Sequence, residues 1–64
     1  MADFDAVTFD FAMLNMWNGW APKNLTEDQK AQARIAYRRG LCDASGLTRE
    51  GRAYVRKHVL VDFL

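Results

Sequence analysis

This 64-residue chain has one cysteine, one proline and one histidine, and its first 21 residues carry no lysine or arginine. A lone thiol, Cys42, excludes an internal disulfide, and the absence of a Cys/His cluster excludes a structural zinc site. A domain this short buries only about 60% of the surface its unfolded chain exposes. With neither staple, its stability rests on dense packing, on self-association or on a partner. Long hydrophobic runs are also missing, because Asp10, Asn15, Asn18 and Asp62 interrupt the apolar segments. None of these segments approaches the about 20 residues that cross a bilayer. The opening Met-Ala-Asp-Phe-Asp lacks the basic start and small-residue cleavage site of a secretory signal. These absences lead to the expectation of one soluble domain over residues 1–64, with no membrane partner, in a reducing cytoplasmic setting.

What the chain does have is apolar bulk and segregated charge. Half of its residues are hydrophobic and eight are Phe, Trp or Tyr, so either the core is dense or part of this supply is an interface. The net charge of +1 hides an asymmetry. Asp3, Asp5 and Asp10 give residues 1–21 a net −3, whereas residues 22–64 hold all nine basic residues against five acidic ones, a net +4. Such segregation favours an anionic partner for the second half.

Phe9, Met13, Met16, Trp17 and Trp20 fall at helical spacing, while Val7, Phe9 and Phe11 alternate with Thr8 and Asp10 as a half-buried strand would. The spacing predicts helix from Asp10 to about Asn18 and leaves residues 3–9 open between helix and strand. Asn18-Gly19 and Ala21-Pro22 then impose a turn or loop over residues 18–25. Thr26-Glu27-Asp28-Gln29 forms a capping box. Glu27 and Asp28 suit the positive end of the helix dipole, and Arg38 and Arg39 the negative end. Gly40 stands where a left-handed cap residue ends that second helix.

Residues 41–46 are too few for another helix and predict an extended piece with a tight turn at Asp43-Ala44-Ser45-Gly46. Thr48 caps a third helix that reaches at least Lys57. Gly51 costs about 1 kcal/mol in a helix interior, which points to close packing against a neighbouring backbone. The tail 58–64 alternates well enough to be a strand, and it can equally prolong the third helix as a buried apolar end. Pairing of that tail with residues 3–9 would make the fold α+β. The fold expected is therefore mostly α, a small three-helix domain, with a short strand pair as the α+β alternative.

Leu25-Thr26, the basic helix, the run Arg39-Gly40-Leu41-Cys42-Asp43, a short turn and Leu47-Thr48-Arg49-Glu50-Gly51-Arg52 together resemble part of a winged helix-turn-helix regulator. The resemblance spans about residues 25–56 and implies a recognition helix, a first wing strand at Gly40-Leu41-Cys42-Asp43, and a following helix opened by Leu47-Thr48. It also implies a nucleic-acid-binding regulator or accessory protein. The chain departs from that family in having one helix rather than two before the recognition helix, and in a wing of only a few residues. A truncated winged helix of this kind could also keep its scaffold for protein contacts, since fold does not dictate function.

Lys30, Arg34 and Arg38 stand at i, i+4 and i+8 on the second helix, and Arg49, Arg52 and Arg56 at i, i+3 and i+7 on the third. Two such stripes could hold phosphates on either side of a groove, with Gln29 or Gln32 reading a base edge. The plain alternative is a pair of solvated faces, with Glu27 supporting Lys30. Trp17 and Trp20, with Met13 and Met16, make the core, a protein-docking surface or a surface that stacks on single-stranded bases. In the docking case Trp17, Trp20, Asp3 and Asp5 would meet a larger protein, as in a small phage-type inhibitor or assembly subunit. Trp20, past Gly19, is the more exposed candidate. Tyr37 and Tyr54 sit beside basic residues, where either hydroxyl could touch a phosphate, but they are expected with rings in the core and hydroxyls at its edge. Cys42 and His58 are the only candidates for nucleophilic or acid–base chemistry, and nothing in the sequence pairs them. Asp3, Asp5 and Asp10 lack the spacing of a calcium loop. No phosphate loop or serine elbow is present. The chain is therefore expected to be non-enzymatic, without cofactor or metal, and to bind nucleic acid or a larger protein. The apolar tail from Val59 to Leu64 also raises self-association into a homo-oligomer.

Overall fold

Asp5 sets the start of the first helix. In the computed structural model, which describes residues 3–63, its carboxylate accepts from the backbone N–H groups of Val7 at 3.1 Å and Thr8 at 3.2 Å. Two of the amides that every helix start leaves unpaired are thereby satisfied, and α1 runs Ala6–Trp17. It begins four residues ahead of the expected Asp10. The alternation of Val7, Phe9 and Phe11 is not a strand signal: Phe9 is fully buried, whereas Val7 and Phe11 are exposed one turn apart on the outer face.

A loop containing one 3₁₀ turn, Pro22–Asn24, leads into α2, Glu27–Arg38. The expected capping box is present. Thr26 Oγ1 accepts from the Gln29 N–H at 3.2 Å, and Gln29 Oε1 accepts from the Thr26 N–H at 3.4 Å. Past the helix end, Gly40 adopts φ +74°, the left-handed conformation that glycine takes without strain. The inward face of α2 is Gln32, Ala33 and Ala36, small enough at two positions to admit α1 closely.

The strands are short: β1 is Cys42–Asp43 and β2 is Gly46–Leu47, antiparallel, with Cys42 opposite Leu47 and Asp43 opposite Gly46. The strand pair therefore lies at the expected turn and not between the chain ends. Thr48 caps α3, Arg49–Tyr54, by accepting from the Gly51 N–H at 3.2 Å. The same helix continues through a wide π turn, Val55–Val59, and a tight 3₁₀ turn, Leu60–Phe63. The tail thus prolongs the third helix; Leu64, its last residue, lies outside the described residues. The result is a mostly α, small three-helix domain with one minimal hairpin.

Phe9, Met13, Val55 and Val59 are the large side chains fully removed from solvent, so the core is the seam between α1 and the extension of α3. The Tyr54 ring meets Phe9 edge-on at 5.6 Å and 84°, a favoured aromatic geometry. Its hydroxyl donates to Asp10 at 3.4 Å. Gln32 is the one buried polar side chain among the described residues. It accepts from the Asp5 N–H at 3.1 Å and donates to the Asp3 carbonyl at 2.8 Å, tying the start of α1 to the middle of α2.

Leu41 joins α2, the hairpin and α3. Its N–H donates to the Ala36 carbonyl at 2.9 Å, and its carbonyl accepts from the Thr48 N–H at 3.1 Å. The Thr48 hydroxyl adds a bond to the Gly40 carbonyl at 2.6 Å. Gly51 passes directly against this carbonyl, so a Cβ there would overlap the Leu41 oxygen and lie 2.9 Å from its carbon. The close backbone approach expected of Gly51 is present. Gly51→Ala has no side-chain rotamer that relieves a clash with backbone, and it should destabilise the domain by at least about 3 kcal/mol. Urea unfolding followed by circular dichroism checks this; a midpoint within error of wild type would contradict the packing described.

Candidate functional site

Lys30, Arg34 and Tyr37 stand at i, i+4 and i+7 on α2 and share one wall of an open groove of about 400 Å³. Cys42, Asp43 and Ala44, from β1 and its turn, form the opposite wall. Pro22 and Lys23 close one end, and the buried Ala33 and Cys42 supply apolar surface inside. The hairpin is held against α2 beneath the groove by the Cys42 thiol, which donates to the Ala33 carbonyl at 3.4 Å.

The electrostatics of the groove are unbalanced. Lys23, Lys30 and Arg34 are set against a single carboxylate, Asp43. That carboxylate is turned into its own hairpin, accepting from the Ser45 hydroxyl at 2.7 Å and the Ser45 N–H at 2.9 Å. Those bonds hold its carboxyl below the usual aspartate range, so it is ionised throughout neutral pH. Lys30 reaches Glu27 at 3.6 Å, a surface pair worth about 0–1 kcal/mol and easily exchanged for another anion. Arg34 is exposed and makes no ion pair among the described residues.

Tyr37 departs from expectation. Its side chain is 64% exposed at the groove rim rather than in the core, because Ala33 and Ala36 fill the packing face and leave no room there for a ring. Tyr54 keeps the expected arrangement, half-buried with its hydroxyl at the edge. The two glutamines are also corrected. Gln32 is buried and fully engaged with the Asp3 and Asp5 backbone, and Gln29 accepts from Asn15 at 3.1 Å as well as from Thr26. Gln32 is therefore withdrawn from any base edge, and the Gln29 oxygen is committed within the fold.

The remaining expected contacts are spread over the surface. Arg38 is exposed but does not line the groove, and neither do the exposed Arg49, Arg52 and Arg56 of the third helix. Arg56 instead places its guanidinium 6.0 Å from the Trp17 ring, and Trp17 is half-buried against the core. Met13 and Met16 are core residues, whereas Trp20 is 46% exposed. Asp3 and Asp5 are exposed, with Asp5 occupied as the cap of α1. Val7 and Phe11 add an exposed apolar pair, one turn apart on α1, that sequence reasoning missed, and Phe4 just ahead of the helix is about half exposed; the signal for the pair was the i, i+4 spacing of two of the residues that suggested a strand.

Cys42 is buried, and His58 lies on the surface with its ring 4.9 Å from that of Tyr54. Among the described residues, no group of three or more His, Cys, Asp and Glu side chains is placed to hold a metal ion, and no helix is long and apolar enough to cross a membrane. Of the apolar tail, Val59 is in the core, Leu60 packs against it and Val61 is exposed. Comparison with known proteins finds no matching family model, no matching curated protein and no matching solved structure.

Burial, and then the neighbouring Asp43 charge, raise the Cys42 thiol above its ordinary range. Since the thiolate is the reactive form, iodoacetamide at pH 8 should alkylate the folded protein at least about tenfold more slowly than the urea-unfolded chain. Mass spectrometry of timed aliquots measures this, and equal rates would show that the groove floor is open.

Proposed function

We propose that this protein is a small, non-enzymatic nucleic-acid-binding accessory protein or regulator that holds backbone phosphates in the groove between α2 and the hairpin. The observation that carries the proposal is the convergence of Lys23, Lys30 and Arg34 on one open groove whose only carboxylate is committed to Ser45. A polyanion meets net positive charge there and displaces a weak Lys30–Glu27 pair at most. Arg38, Arg49, Arg52 and Arg56 lie outside the groove and contribute to the wider positive field of the second half, which steers an anionic chain toward it. The hairpin between α2 and α3 has the order that the winged-helix resemblance implies for a reduced wing and supports the same reading.

A second reading is favoured by a different surface. Val7 and Phe11 on α1, with Phe4 before the helix and Trp20 after it, are large apolar side chains about half or more exposed, and Asp3 and Asp5 make the start of α1 acidic. A larger protein that covered them would gain apolar contact area and charge complementarity from basic residues of its own.

The readings separate by mutation. Lys30→Glu with Arg34→Glu should weaken anisotropy-detected binding of labelled 15-nucleotide DNA at low salt by at least about tenfold, with an unchanged circular dichroism spectrum; undiminished affinity would contradict the groove. Phe11→Ala with Trp20→Ala should leave that binding unchanged. If the second reading holds, this pair instead weakens capture of a protein partner by the immobilised domain by at least about tenfold.

A further inference from the structure

We infer that the groove is built for single-stranded rather than duplex nucleic acid, with Tyr37 as the surface on which one unstacked base rests. This rests on the phosphate-binding reading above and names the form of nucleic acid that the same groove takes. Three observations carry it.

The first is the position of Tyr37. Its side chain is 64% exposed on the rim of the groove, one helical turn beyond Arg34 and two beyond Lys30. Ala33 and Ala36 turn the ring away from the core, which leaves it exposed on the same helix face as two cations. A ring so placed can take a base, because base–aromatic stacking contributes about 1–3 kcal/mol per base and tolerates any sequence.

The second is what α2 lacks. Duplex DNA hides the faces of its bases and shows only their edges, which amide and guanidinium groups read in the major groove. The two glutamines of α2 are bonded to Asn15, Thr26 and the Asp3 and Asp5 backbone. Gln32 is thereby withdrawn into the core and the Gln29 oxygen is committed, so what the outward face of the helix chiefly offers is cations and a ring. That inventory positions a backbone and stacks a base, and leaves any edge contact to the guanidinium groups of Arg34 and Arg38 alone.

The third is dimension. A groove of about 400 Å³ is in the range that accepts one small-molecule-sized group, such as a single splayed nucleotide. The hairpin wall, with strands of two residues each, is too short to track along a duplex backbone as a full wing would. A base entering over Tyr37 would leave its flanking phosphates to Arg34, Lys30 and Lys23 along the same wall and end.

The test is fluorescence anisotropy of labelled oligothymidylate and of a duplex of equal length, titrated with wild type, Tyr37→Ala, Tyr37→Phe and Lys30→Glu/Arg34→Glu. Tyr37 is on the surface, so both variants at this position keep the fold, as circular dichroism would verify. Wild type should bind the single strand at least about tenfold more tightly than the duplex. Tyr37→Ala should lose about five- to a hundredfold of the single-strand affinity, and Tyr37→Phe should retain it, because the ring and not the hydroxyl does the stacking. Equal affinity for duplex and single strand, an inert Tyr37→Ala, or loss in Tyr37→Phe would each overturn the single-strand inference while leaving phosphate binding in the groove intact. Failure of wild type to bind either probe at low salt would overturn both.

Discussion

The backbone of Leu41 is the constraint on which the rest of the molecule depends. One peptide N–H fastens it to the end of α2 at Ala36, and its carbonyl receives Thr48 at the start of the third helix. Gly51 slides beneath that carbonyl because it has no side chain to prevent it. The hairpin is otherwise too short to be stable, since two-residue strands contribute little on their own. Fixed at this junction, the hairpin presents Cys42 inward as part of the core and Asp43 and Ala44 outward as a wall facing α2. The hairpin wall of the groove is thus held in place by a junction that only a glycine at position 51 admits.

The chain divides its cations between holding the fold and facing outward. Arg39 lies over the Phe4 and Phe9 rings at 5.3 and 5.9 Å, and Arg56 lies near Trp17, so two guanidinium groups cover aromatic surface that a small core cannot enclose. Lys23, Lys30 and Arg34 are not used in this way and gather at one groove. The acidic and basic parts of the sequence likewise differ in role: the acidic start caps α1 and is clamped by Gln32, while the cations of α2 face outward.

How much of this is legible in the sequence follows from the range of each interaction. The limits of α2, the cap at Thr48 and the close approach at Gly51 are written in residues within one or two turns of where they act. The start of α1 was obscured because Asp5 resembles any surface carboxylate until the helix places its oxygen over the Val7 and Thr8 amides. The tail was ambiguous because β-branched residues suit a strand by propensity, and only the docking of Val55 and Val59 on Phe9 and Met13 decides for helix. At the site, the Lys30–Arg34 stripe was legible from spacing alone. Gln29 was legible as the capping-box partner of Thr26, but its bond to Asn15 and the roles of Gln32 and Tyr37 were not, because each depends on which face α1 covers. Alanines at 33 and 36, rather than the aromatic at 37, are what let α1 come close.

The central claim is that α2 and the hairpin form an anion-binding groove that a nucleic-acid strand occupies. Two-dimensional ¹H–¹⁵N NMR of the labelled domain during titration with oligothymidylate tests it residue by residue. Chemical-shift changes gathered at Lys23, Lys30, Arg34, Tyr37 and Ala44, and fading as salt is raised, are the predicted result. Changes centred on Val7, Phe11 and Trp20, or none at low salt, would contradict it.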